Sequence, residues 1–229
     1  MSAPGAPSVP QAPRVGVIDY GAGNLFSLVG ALTRAGAAVT VLPAPAPEAG
    51  PWALLVLPGV GAFPPAMARL AAAGFPAWLV EEVRRGTPLL GVCLGMQLLF
   101  ERSGEGGGAE GLGLLPGEVV RLPAELKVPH MGWNRLRCTA AHPVLDGLEG
   151  AWAYFVHSYV VRPGRTEDVL AVTDYGGPVA AVVGRGALLG VQFHPEKSGA
   201  TGRRLLEGIV RLAAAGRLGG EPRHPAPVP

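Results

Sequence analysis

A chain of 229 residues can bury one good core, with two domains as the outer bound, and 48% hydrophobic against 16% charged residues exclude a disordered polypeptide. The formal net charge of +2, with no concentrated Lys/Arg run, excludes a basic nucleic-acid-binding stripe. Two cysteines, Cys93 and Cys138, are too few for a disulfide framework and lack zinc-type spacing, so no metal is expected and a reduced, cytoplasmic setting fits best.

The opening MSAPGAPSVPQAP has neither the charged leader nor the apolar stretch of a signal peptide. No run reaches the roughly 18 apolar residues of a membrane span. Residues 1–13 and 218–229, rich in Pro, Gly and Ala, read as disordered tails around a folded body of residues 14–217.

Within that body, RVGVIDYG reads as a β-branched strand. NLFSLVGALTRAG follows as a helix with Leu25, Leu28 and Leu32 on one face and Gly36 as its stop. AVTVL and LLVLPG are further strands, continuously apolar as parallel strands covered on both faces are. FPAWLVEEVRRG reads as an amphipathic helix, PLLGV as the next strand and LGMQLLFE as the next helix. This alternation implies an α/β fold with a doubly wound, mainly parallel sheet. From about Leu112 to Val191 the texture changes. EVVRL, AWAYFVHSYVV, VLAVTDY, VAAVVG and ALLGVQF read as antiparallel elements, and a last amphipathic helix carries Leu205, Ile209 and Leu212. GEGGGAEG, residues 104–111, reads as a flexible loop, since no Lys-Ser/Thr follows it to make a phosphate cradle.

Gly91-Val92-Cys93-Leu94-Gly95 has the form G-x-C-x-G, the cysteine counterpart of the nucleophile elbow. A nucleophile on a tight strand-to-helix turn needs small neighbours, and helix N–H groups aimed at its sulfur favour thiolate. The pentapeptide alone is equally compatible with a buried, inert cysteine. Cys138, in NRLRCTAAHP, has no such setting. A thiolate nucleophile needs a proton shuttle, and GVQFHPEKS offers one. Pro195 disfavours helix at His194, and in an extended segment residues two apart share a side, so Glu196 can orient the imidazole toward Cys93. His130, His142, His157 and His224 read as structural, loop or tail histidines. For the oxyanion, the Leu94 N–H is one donor. The turn Pro58-Gly59-Val60-Gly61, at the carboxyl edge of the sheet, can present others.

Together, PGVGAF, GVCLGMQLLF and GVQFHPEKS resemble the class I (triad-type) glutamine amidotransferases in order and content. VIDYGAGN, PHMGWN, YFVHSY and HPEKSG make the chain similar to the glutaminase subunits of imidazole glycerol phosphate synthases. The resemblance implies that Cys93 attacks the carboxamide of glutamine, His194 protonates the departing ammonia and Glu196 holds the imidazole. It implies an oxyanion hole of Leu94 with Val60 or Gly61, and substrate contacts from Gly59, Gln97, Ser158 and Tyr159. It also implies a (βα)8-barrel cyclase partner that receives the ammonia, with Asn24, Trp133 and Lys197 at the interface, and no cofactor. PHMGWN and HPEKSG argue against a glutaminase of another synthase, such as anthranilate or aminodeoxychorismate synthase. The complete Cys-His-Glu set argues against a non-enzymatic binding module.

Overall fold

Parallel strands with helices on both faces need apolar side chains on every residue, and that demand shapes the centre of the molecule. The structure, a computed structural model, describes residues 11–219. The expected tails fall largely outside the described residues, although Leu218, assigned to the second tail by composition, is buried in the core.

In chain order, β1 (Arg14–Ile18), α1 (Leu25–Arg34), β2 (Ala38–Leu42), β3 (Leu54–Leu57), α2 (Phe63–Ala72), α3 (Phe75–Arg84), β4 (Leu89–Val92) and α4 (Leu94–Leu98) form the first half. Then come β5 (Phe100–Ser103), β6 (Ala109–Glu110), β7 (Leu115–Arg121), β8 (His130–Arg135), β9 (Arg137–Cys138), β10 (Trp152–His157) and β11 (Tyr159–Pro163). The chain closes with β12 (Val169–Asp174), β13 (Pro178–Arg185), β14 (Leu188–Val191) and α5 (Gly199–Ala214). An eight-stranded sheet runs β2-β1-β3-β4-β14-β13-β12-β9. It is parallel from β2 to β14 and antiparallel beyond. β8 and β10 form a two-stranded sheet, and β11-β7-β5-β6 a four-stranded one.

Alternation along the buried strands sorts side chains into two cores. Val15, Val17, Leu54, Val56, Leu90, Val92, Leu189 and Val191 meet α1 and α5 on one face, through Leu28, Leu32, Leu205 and Ile209. Ile18, Leu55, Leu57, Leu89 and Leu188 meet α2, α3 and α4 on the other, through Phe63, Leu70, Leu79 and Met96. On that second face two strand positions are glycine, because α4 lies directly on the sheet. A Cβ on Gly91 would stand 2.6 Å from Met96 Cα, and one on Gly190 would stand 2.6 Å from Met96 Cγ.

The structure departs from the sequence reading at four places. α4 stops at Leu98, not Glu101, because the carbonyls that would continue it are taken by an incoming loop: Leu112 N–H bonds Leu98 O and Leu114 N–H bonds Leu99 O, both at 2.9 Å. AWAYFVHSYVV is two strands parted at Ser158 and belonging to different sheets. FPPAMARLAA forms α2, a helix the sequence reading passes over, with prolines in its first turn, where their missing N–H groups cost nothing. The Gly-rich loop is tied down: Glu105 Oε2 accepts the Phe63 N–H at 2.8 Å and so caps α2.

Candidate active site

Three neighbouring parallel strands, β3, β4 and β14, end side by side, with Leu57 opposite Gly91 and Val191 opposite Val92. Each carboxyl end delivers one part of a site, as open α/β sheets do. β3 ends in the turn Pro58–Gly61, β4 in Cys93 and β14 in Gln192–His194.

Cys93 takes φ 54° and ψ −112°, the one positive φ outside glycine among the described residues. A strained turn of this kind costs about 1–3 kcal/mol and persists only where its surroundings hold it. Here the Cys93 N–H continues the ladder to Val191 O at 2.8 Å, and Met96 and Gln97 donate to Cys93 O at 3.1 and 3.3 Å. The sulfur thus sits ahead of a short helix, buried but facing a cleft.

His194 is extended, as expected, at φ −95° and ψ 99°, but Glu196 reaches it differently. Residues Pro195–Lys197 make a 3₁₀ turn, and the turn swings Glu196 back so that its Oε1 lies 2.8 Å from His194 Nδ1. Both side chains are buried, and Glu196 Oε2 is buried without a partner among the described residues. The histidine backbone is clamped: its N–H donates to Tyr154 O at 3.0 Å and its carbonyl accepts the Ser198 hydroxyl at 2.7 Å. Burial opposes an imidazolium here. Hydrogen bonds to Cys93 and Glu196, and the charges of both, outweigh it and hold His194 up at about 9.

A cleft of about 350 Å³ opens over these groups, large enough for a small molecule. Cys93, His194, Leu94, Val60, Gly61, Gln97, Ser158 and Tyr159, all named from the sequence, line it together. Gly59 stands behind the wall, where a Cβ would lie 2.6 Å from Tyr20 Oη and 3.0 Å from Gly95 N. Its glycine is therefore required by space, whereas Gly61, at φ 96° in open surroundings, is required by backbone angle. Tyr20 donates to Pro58 O at 2.9 Å and fixes the turn from behind. The N–H groups of Val60, Gly61 and Leu94 meet no acceptor among the described residues, so they can donate into the cleft. The Ser158 and Tyr159 carbonyls are already engaged, by Leu122 N–H at 2.9 Å and by Gln97 Nε2 at 3.0 Å.

The family described as glutamine amidotransferase class-I matches residues 16–211 of this chain. The chain belongs to that family. Imidazole glycerol phosphate synthase subunit HisH of Geobacillus kaustophilus is 51% identical over 205 residues, covering 87% of this chain and 97% of the relative. The subunit of the same name from Bacillus subtilis is 48% identical over 206 residues, covering 87% and 97%. A solved glutamine amidotransferase structure covers 87% of this chain and 98% of its own, with TM-score 0.70 at 24% identity, and speaks for the fold alone.

The amidotransferase cleft also holds residues that sequence reasoning missed. Glu105 lines it, brought there by the Gly-rich loop, and so do Pro129, Val156 and His157. His157 was read as structural, and it is also a wall of the site. It forms a directional chain with His130. Tyr159 O can only accept, so His157 carries its proton on Nδ1, 3.0 Å away. The bare His157 Nε2 then accepts from His130 Nδ1 at 3.0 Å, and His130 Nε2 accepts from Asn134 Nδ2 at 3.0 Å. Both rings are neutral donors and acceptors. Burial pushes His130 down to about 4. Burial, aided by the charges of His130 and His194, pushes His157 to about 3.

A pH dependence follows. Below about 6.5 the unfolded chain takes up protons on these two imidazoles that the folded chain refuses. Stability is therefore expected to fall as pH drops from about 6.5 toward 4, by their contribution. Histidine NMR should show His130 and His157 still neutral at pH 5 and His194 still protonated at pH 8. Protonation of His157 near pH 6.5 would contradict the assigned chain.

A larger groove, about 1360 Å³, lies elsewhere, lined by Cys138, His142, Glu149 and Arg211 among others. Burial, together with the hydrogen bond and charge of Glu149, pushes the Cys138 thiol up to about 11, which makes it a poor nucleophile. Asn24 and Lys197 are exposed, Asn24 capping α1 through Ser27 N–H at 3.5 Å. Trp133 is half exposed, edge-on to Tyr154. No helix among the described residues is long and apolar enough to cross a membrane.

Proposed function

We propose that this amidotransferase hydrolyses glutamine with Cys93 as nucleophile, His194 as proton shuttle and Glu196 as its orienter. The ammonia passes to a (βα)8-barrel cyclase partner, which forms imidazole glycerol phosphate and aminoimidazole carboxamide ribonucleotide in histidine biosynthesis. The observation that carries the reading is the meeting of Cys93 with the His194–Glu196 pair in one small cleft walled by unpaired backbone N–H groups. Relatives named as subunits of imidazole glycerol phosphate synthase, about half identical over nearly their whole length, support the choice of partner.

The chemistry follows from the geometry. The Cys93 thiolate attacks the carboxamide carbon, and the oxygen takes up the negative charge facing the N–H groups of Leu94 and of Val60 or Gly61. His194, protonated at neutral pH, gives its proton to the leaving nitrogen, and ammonia departs from a glutamyl thioester. The imidazole then takes a proton from water, which attacks the thioester. Glutamate leaves and the thiolate returns. Glu105, the cleft's lining carboxylate, offers a counter-charge for the substrate's α-ammonium group.

The partner face is read from exposed apolar side chains, one of which, Val60, lines the cleft. Val60 is 46%, Trp133 49% and Met131 62% exposed, and Phe26 at 91% stands at the start of α1. Gly23 packs on Pro58, which places Asn24 and Phe26 beside the same turn. Exposed apolar side chains of this kind fit an interaction surface. The test is glutamine turnover by the chain with its barrel partner and the partner's nucleotide substrate. Glutamate and imidazole glycerol phosphate are expected in equal amounts. Glutamine turnover that feeds a different acceptor, or none in the complex, would overturn the reading.

A further inference from the structure

Gln192 is fully buried between β14 and the active-site turn and has no part in the triad. Its side-chain Nε2 lies 3.8 Å from Cys93 Sγ, within reach of a hydrogen bond to the large sulfur atom. Its Oε1 lies 3.0 Å from Gln97 Nε2. Which end of an amide faces which neighbour is a matter of donors and acceptors, and here the network settles it. Gln97 Nε2 also lies 3.0 Å from Tyr159 O, a group that can only accept. Gln97 therefore turns its NH₂ toward both Tyr159 O and Gln192. Gln192 must meet a donor with its oxygen, which leaves its own NH₂ for the sulfur.

We propose that Gln192 is a positioning residue for the nucleophile, donating a side-chain N–H to the Cys93 sulfur so that the thiolate is favoured and held toward the cleft. The proposal rests on the nucleophilic role of Cys93. A donor is worth more to a charged acceptor than to a neutral one, so the amide acts on the thiolate rather than on the thiol. The arrangement is dry, which strengthens it, since Gln192 has no access to water that could replace its partner. Gln97 thereby gains a second task. It lines the cleft and, from its other side, holds the amide that serves the nucleophile. The same Tyr159 carbonyl accepts the hydrogen bond of His157 Nδ1–H, so the orientation of Gln192 is anchored through His157 and His130 to Asn134 on β8. β8 also bears the exposed Met131 and Trp133 of the proposed partner face.

The experiment measures alkylation of Cys93 by iodoacetamide against pH, without glutamine, in full-length protein carrying Cys138→Ala so that one thiol remains. With Gln192 present, Cys93 should be alkylated faster at neutral pH than a free cysteine. Gln192→Met keeps the volume and removes the donor. It should slow alkylation at neutral pH about tenfold. Gln192→Glu keeps an acceptor for Gln97 but sets a carboxylate at the sulfur, and should slow it further. An unchanged rate in folded Gln192→Met would overturn the role of Gln192. A parent Cys93 no faster than a free cysteine would instead count against an activated Cys93, so the two failures are distinct. Should Gln192→Met fail to fold, the side-chain amide resonance of Gln192 in the unsubstituted protein decides. It should titrate with Cys93, and a resonance that ignores Cys93 ionisation would overturn the proposal equally.

Discussion

Cys93→Ala is expected to abolish glutamine turnover, by roughly 10⁴-fold or more, while folding and partner binding survive. The reason is local. The methyl group of alanine fits where the thiol was, the ladder bond from residue 93 to Val191 O is a backbone bond, and both contacts to residue 93 O come from backbone N–H groups. The backbone keeps its bonds, and what is lost is the proposed nucleophile with its side-chain contacts to His194 and Gln192. His194→Ala should come next in severity, since it removes the proposed proton shuttle. Glu196→Gln should cost least, because an amide oxygen can still accept from Nδ1, though without the charge that helps hold the imidazole at about 9. Cys138→Ala, far from the cleft, should leave turnover unchanged. The measurement is glutamate release at saturating glutamine and partner. Substantial turnover by Cys93→Ala would end the thioester mechanism, and a Glu196 loss equal to that of His194 would end the division of roles.

The parts of this site that were legible in the sequence are those whose chemistry is local. Gly91, Cys93 and Gly95 announce themselves because a strained turn against a sheet tolerates no other neighbours. His194-Pro195-Glu196 does so because proline sets the backbone and two residues suffice to bring a carboxylate to an imidazole. Even there the route was misread, since a 3₁₀ turn and not a straight strand closes the pair.

What stayed illegible is tertiary. Glu105 enters the cleft from a loop whose glycines suggest only flexibility, and its anchor, the Phe63 N–H, lies 42 positions away. His157 shares its chain with His130, 27 positions distant, and no spacing rule predicts that pairing. The end of α4 was hidden for another reason. Leu98, Leu99 and Phe100 are all fully buried, so the apolar run continues through the change from helix to strand and periodicity has nothing to register. α2 was passed over because Pro64 and Pro65 punctuate the sequence as a loop would, although at the first helical positions proline starts a helix.

Gly95→Ala is expected to destabilise the fold by about 3 kcal/mol and to lower glutamine turnover by about 10²-fold or more in whatever remains folded. A Cβ at this position would stand 1.8 Å from Leu57 O and 2.7 Å from Leu57 C. Both are backbone atoms, so no rotamer change relieves the contact. Either α4 lifts from the sheet or the end of β3 moves away. The first breaks the packing of Met96 on Gly91 and Gly190, and the second displaces the Pro58–Gly61 turn. The same collision therefore costs stability and catalysis together, since Cys93 leads into one element and the other carries the proposed oxyanion donors. Gly208 supplies the contrast. It lies inside α5, where an added Cβ meets nothing within 4 Å, and Gly208→Ala should stabilise the fold by up to about 1 kcal/mol through helix propensity, with turnover unchanged. Urea unfolding midpoints and glutamate release on the three proteins decide the matter. A Gly95→Ala variant with the parent's midpoint and turnover would mean that α4 does not lie on the sheet as closely as the structure places it, and the geometric account of the elbow would fall with it.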